Sequence, residues 1–107
     1  MYSSEFDWRG GRVTYWDLEC VSASEVLEGD RDCLKEDLAQ AEFGSNYVLD
    51  VGWFAMGRDR GAFVVVVVRD DAWDAPLFRV ECEDLPALRD AIREGILAAM
   101  SLSSAAP

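Results

Sequence analysis

The chain contains no histidine and a single lysine, Lys35. Without histidine it lacks the commonest general base and the commonest metal ligand at neutral pH. With so few cations it has no basic face to neutralise phosphates, so direct nucleic-acid binding and attachment to an anionic membrane are both disfavoured. No stretch approaches the ~20 apolar residues of a membrane span. Met1-Tyr2-Ser3-Ser4-Glu5 lacks the basic and apolar regions of a signal peptide. Also missing are a Cys-x-x-Cys pair, a GxSxG elbow, a phosphate-binding glycine loop and GxGxxG. The cysteines, Cys20, Cys33 and Cys82, are odd in number and widely spaced. That pattern predicts reduced, buried thiols in a cytoplasmic protein, not a disulfide framework or a zinc site. No cofactor or metal is expected.

What the chain has in excess is acid. Asp and Glu outnumber Lys and Arg by 21 to 10, for a net charge of −11. At 107 residues, half of them hydrophobic, residues 1–107 are expected to form one domain with a sizeable core, and 101–107 a frayed tail. Such a charge serves solubility, and it also attracts a basic protein partner.

The densest apolar run is Ala62-Phe63-Val64-Val65-Val66-Val67-Val68. Alternate residues of a strand point to opposite faces, so this run needs apolar cover on both sides. Around it the chain reads as strand, helix, three-strand meander, helix. After a turn at Gly10-Gly11, residues 12–21 form a first strand, with Thr14, Trp16, Leu18 and Cys20 as its more apolar face. Ser22-Ala23-Ser24-Glu25 has capping-box spacing, and Leu27, Leu34, Leu38 and Ala41 lie on a helical stripe. The predicted helix starts at Ser24 or is capped by Asp30, runs to Glu42, and is stopped by Gly44. Residues 47–54 form a strand with Tyr47, Leu49, Val51 and Trp53 on one face. A glycine-bounded connector too short for a parallel crossover leads into the valine strand, making an antiparallel hairpin. Residues 77–82 form a fourth strand. The last helix is capped by Asp84, carries Pro86 in its first turn, and aligns Leu85, Leu88, Ile92, Ile96 and Ala99; Gly95 permits close packing on the sheet.

The expected architecture is therefore α+β: a two-layer sandwich of a four-stranded, mainly antiparallel sheet with two helices on one face, in the order β-α-β-β-β-α. Two helices on one face leave the other bare. It would show either Val64, Val66 and Val68 or Phe63, Val65 and Val67, and it would be an interaction surface, a homodimer contact, or a face lidded by the N-terminal Phe6 and Trp8.

Paired carboxylates could in principle hydrolyse a substrate, with Asp50, Asp70, Asp71 and Asp74 as candidates. Acidic residues in turns are nonetheless ordinary solvated turn formers, and the chain is expected not to be an enzyme. The loop Asp70-Asp71-Ala72-Trp73-Asp74 is the stronger candidate, because an aromatic among carboxylates has the composition of a hot spot for a basic surface. The competing reading tucks Trp73 under its own loop. Trp53, within a strand, fits core packing better than ligand stacking.

The stretch Tyr47-Val48-Leu49-Asp50-Val51-Gly52-Trp53-Phe54, with Gly61 to Val68 and Arg69-Asp70-Asp71-Ala72-Trp73-Asp74-Ala75-Pro76-Leu77, resembles small immunity proteins of bacterial polymorphic-toxin and contact-dependent inhibition systems. The shared pattern is a hydrophobic hairpin followed by an acidic Trp loop. The resemblance implies a cytoplasmic protein that binds one cognate toxin, often a basic nuclease or a deaminase, and occludes its active site without catalysis. On this view Asp70, Asp71, Trp73, Asp74, Asp50 and Trp53 are the candidate partner-binding residues.

Overall fold

The structure, a computed structural model, describes residues 1–21, 34–55 and 61–105. Its centre is a five-stranded antiparallel sheet in the spatial order β1-β2-β3-β4-β5, each strand beside its neighbour in sequence. The strands are β1 (Arg12–Trp16), β2 (Ala39–Phe43), β3 (Tyr47–Ala55), β4 (Gly61–Arg69) and β5 (Phe78–Cys82). One C-terminal helix, α1 (Leu85–Ala105), packs against β3, β4 and β5. The fold is thus α+β, as expected, and the described residues hold five strands and one α-helix where four strands and two helices were expected.

The largest difference lies at β2. Residues 22–33 of the predicted first helix, with its proposed caps at Ser24 and Asp30, lie outside the described residues. The remainder is not helical: Ala39-Gln40-Ala41-Glu42-Phe43 is a strand with alternating burial. Gly44 ends no helix. It sits at φ +63° in the turn joining β2 to β3, where the left-handed conformation suits glycine. The first strand is shorter than predicted, ending at Trp16, and a 3-10 turn follows over Leu18–Cys20. A register shift between Val13 and Tyr15 changes the alternation, so Val13 and Trp16 both pack against the core while Thr14 is exposed.

The meander and the last helix follow the sequence closely. In β3–β4, Leu49 pairs with Val67, Val51 with Val65 and Trp53 with Phe63. These residues face α1, and Leu49, Val51, Phe63, Val65 and Val67 are fully buried with Leu88 and Ile92. Asp84 caps α1, its Oδ1 accepting the Ala87 N–H at 2.8 Å. The absent side chain at Gly95 lets α1 approach the sheet, since a Cβ there would stand 2.9 Å from Leu49. The helix continues to Ala105, so most of the segment expected to fray is helical.

Cover over the β1–β2 side of the core comes from the N-terminal segment, not from a described second helix. Phe6, Trp8 and Trp16 form a cluster with ring centroids 5.7–6.0 Å apart. Glu5 pairs with Arg89 of α1 at 3.0 Å, fixing this segment beside the helix. The N-terminal aromatics therefore sit in the helical layer and do not lid the opposite sheet face. Cys82 is a free, buried thiol, but Cys20 is disulfide-bonded, which corrects the expectation of three reduced cysteines.

Candidate functional site on the outer sheet face

Alternation along the strands decides what the face away from α1 presents. Asp50 pairs with Val66, and Gly52 with Val64, so these share the outer face with Phe54 and, across β4–β5, with Arg79 and Glu81. Of the two faces weighed for the valine strand, the outer one carries Val64, Val66 and Val68. Those valines are less exposed than a bare sheet face would leave them: Val64 is 7% and Val68 0% exposed. The exposed apolar surface lies instead with Phe54 (37%), Trp73 (48%) and Leu77 (52%).

Asp50, Phe54, Val64, Val66, Trp73 and Arg79 line a concavity of ≈ 440 Å³ on this face. A second, more open hollow adjoins it, lined by Tyr15, Asp37 and Gln40. The two meet where Gln40 Nε2 donates to Asp50 Oδ1 at 3.1 Å. Burial pushes the Asp50 carboxyl above its usual range; the Gln40 hydrogen bond opposes this, and the negative charge of Asp37 adds to it.

Gly52 positions this region. Its missing side chain leaves room for the backbone of Glu36, whose carbonyl oxygen stands 2.1 Å from where a Cβ would lie. The segment is held by Trp53 N–H to Lys35 O (2.8 Å) and Leu38 N–H to Val51 O (2.9 Å), which brings Asp37 near Asp50.

The acidic loop is built on a tight turn. Asp70 and Asp71 both have positive φ (54° and 58°), and the Ala72 N–H returns to Arg69 O at 3.0 Å, the pattern of a type I′ turn. Asp tolerates this conformation better than most residues. The Asp70 N–H also donates to Asn46 O (2.9 Å), joining this turn to the β2–β3 turn at the same end of the sheet.

The structure thus brings Asp50 and Trp73 into one concavity, with Asp70, Asp71 and Asp74 exposed along the loop that carries Trp73. Trp73 is not tucked beneath its loop. Trp53 does not join the site: it shares a face with Leu49 and Val51, packs against the core, and covers Gly61, where a Cβ would overlap its indole at 1.8 Å. Phe54 and Arg79 are additions to the expected site residues, whereas Val64 and Val66 belong to one of the two valine faces expected as an interaction surface. Their signal was the parity they share with Asp50.

Among the described residues, no group of three or more Cys, Asp or Glu is arranged to hold a metal ion, and no described helix is long and apolar enough to cross a membrane. Comparison with protein-family models, with curated proteins and with solved structures gives no match.

Proposed function

We propose that this chain is a non-enzymatic binding protein whose outer sheet face receives a basic protein, and that this protein is a cognate nuclease-like or deaminase toxin domain whose active site it occludes. The observation that carries the binding role is one juxtaposition. Exposed Phe54 and Trp73 flank Asp50 on a face with an apolar floor, in a chain of net charge −11. Aromatic anchors with surrounding carboxylates suit a basic surface, and the opposite net charges accelerate encounter. Five strands spaced ~4.8 Å apart give this face an extent of roughly 500 Å². With the acidic loop added, that approaches the ~800 Å² one partner contributes to a stable interface. The toxin as partner rests on the resemblance of residues 47–77 alone.

The test is co-expression with the product of the adjacent gene and purification at low and high salt. A partner retained at low salt, weakened at high salt and lost from the Asp71→Ala/Trp73→Ala double variant supports the proposal. No captured partner, or capture indifferent to both substitutions, refutes it.

A second reading, homodimerisation through the same face, is favoured by the exposure of Phe54, Trp73 and Leu77. Repulsion between two copies of the same acidic surface opposes it. Sedimentation of Val66→Asp against the parent separates the two readings. Val65→Asp would not, since Val65 is fully buried under α1 and its substitution tests folding.

A further inference from the structure

We infer that the concavity between Phe54 and Trp73 is a receptor for one arginine side chain of the basic partner, its guanidinium set against Asp50 and its plane against the Trp73 indole. The inference rests on the proposed binding role and names the chemistry of its anchor.

The first argument is charge. Carboxylates on the outer face that have a cation beside them are paired: Glu42 with Arg12, and Glu81 with Arg79 at 2.8 Å. Asp50 is different. Among the described residues its hydrogen-bond partner is the neutral Gln40, and the charge of Asp37 acts on it repulsively. Arg79 shares the concavity, but its Cα lies two strands from that of Asp50, about 10 Å at ordinary strand spacing, and its guanidinium is held by Glu81 at 2.8 Å. A half-buried carboxylate without a counterion is costly, and a cation arriving from outside removes that cost.

The second argument is shape and surface. At ≈ 440 Å³ the concavity falls within the ~300–1,000 Å³ of ordinary ligand sites. Its floor is aliphatic, from Val64 and Val66, and its sides are aromatic. An arginine stem packs on such a floor while the guanidinium, planar and weakly hydrated, stacks on indole and pairs with a carboxylate. An ammonium is compact and strongly hydrated, and gains less here.

A smaller hollow, ≈ 220 Å³ between the N-terminal segment and α1, offers no comparable charge. Its Glu5 is paired with Arg89 and its Asp7 with Arg9.

The experiment titrates the full chain with Nα-acetyl-arginine amide, Nα-acetyl-lysine amide and Nα-acetyl-citrulline amide. It follows the Trp73 indole N–H and the Val64 and Val66 signals by NMR. The arginine probe is expected to shift these signals saturably, the lysine probe to bind more weakly, and the uncharged citrulline probe to leave them in place. Asp50→Asn can still accept the Gln40 hydrogen bond and should keep the fold, yet weaken arginine binding by about tenfold, as loss of a charge-assisted hydrogen bond does. Trp73→Ala, at an exposed position, provides a second variant with the same expected loss. Equal shifts from citrulline, unchanged affinity in both variants, or shifts confined to the N-terminal hollow would overturn the inference. A captured partner without an arginine site leaves the binding role standing and removes only this anchor. An arginine site without any captured partner removes the proposed partner instead.

Discussion

Gly52→Ala is the sharpest single perturbation of the outer face, because what it would strike is backbone. The added Cβ would meet Glu36 O at 2.1 Å and Glu36 C at 3.0 Å, so no side-chain rotation relieves it. Restoring an ordinary contact of ~3.5 Å requires the 35–38 segment to retreat by more than roughly 1 Å. That movement breaks or badly lengthens the bonds from Trp53 N–H to Lys35 O and from Leu38 N–H to Val51 O. Two backbone hydrogen bonds at ~0.5–1.5 kcal/mol each give an expected loss of about 1–3 kcal/mol. For a chain of this size the melting temperature should fall by roughly 5–20 °C. Thermal unfolding followed by tryptophan circular dichroism measures the loss, and amide exchange should show lost protection at Leu38 and Trp53. Gly10→Ala is the control: nothing lies within 4 Å of its Cβ, so only its φ of +90° resists, at a cost of about 1 kcal/mol. A Gly52→Ala protein that melts with the parent and keeps both amides protected would refute the close approach at Glu36.

Two further predictions follow from buried titrating groups. Burial raises the Asp50 carboxyl above its unfolded value, so its favourable contribution belongs to the protonated form. It is fully present below the ordinary carboxylate range and is lost as pH climbs through the raised value. Asp50→Asn should therefore flatten the stability profile on the acid side and be at least as stable as the parent at pH 7. A variant less stable at pH 7 would show that Asp50 is not penalised by burial. Cys82 is pushed up to about 11, chiefly by burial and then by the neighbouring Asp84 charge, so at pH 8 it should stay a thiol. A disulfide reagent should leave it unmodified in the folded chain and label it on unfolding; rapid native labelling would contradict its placement against Phe63 O.

How much of this was legible in the sequence depends on spacing. The β3–β4 hairpin and α1 were readable because their periods are unambiguous: strict alternation from Tyr47, and the three-and-four spacing from Leu85. The segment before Gly44 was not. Leu34 and Leu38 are four apart, a spacing that shares a face in a helix and equally in a strand. The capping-like Ser-x-x-Glu upstream favours a helix. Ala39, Ala41 and Phe43 alternating with Gln40 and Glu42 was the discriminating signal, followed by a glycine suited to a hairpin turn. The site was half readable. Acidic and aromatic composition flags Asp50 and Trp73, but it equally flags Trp53, whose parity places it on the core face, whereas Phe54, one residue on, carries the exposed ring.

The valine strand holds two interleaved sets of side chains with separate duties. Phe63, Val65 and Val67 build the interior, whereas Val64 and Val66 line the outer concavity, and the same division runs through β3. On the binding role proposed above, exchanges at positions of one parity would alter which molecule is accepted, while those of the other parity alter whether the chain folds. If that role holds, small changes at residues 50, 54, 64, 66 and 73 would retarget the domain while its interior stays constant, and divergence would be concentrated at every second residue of the central strands.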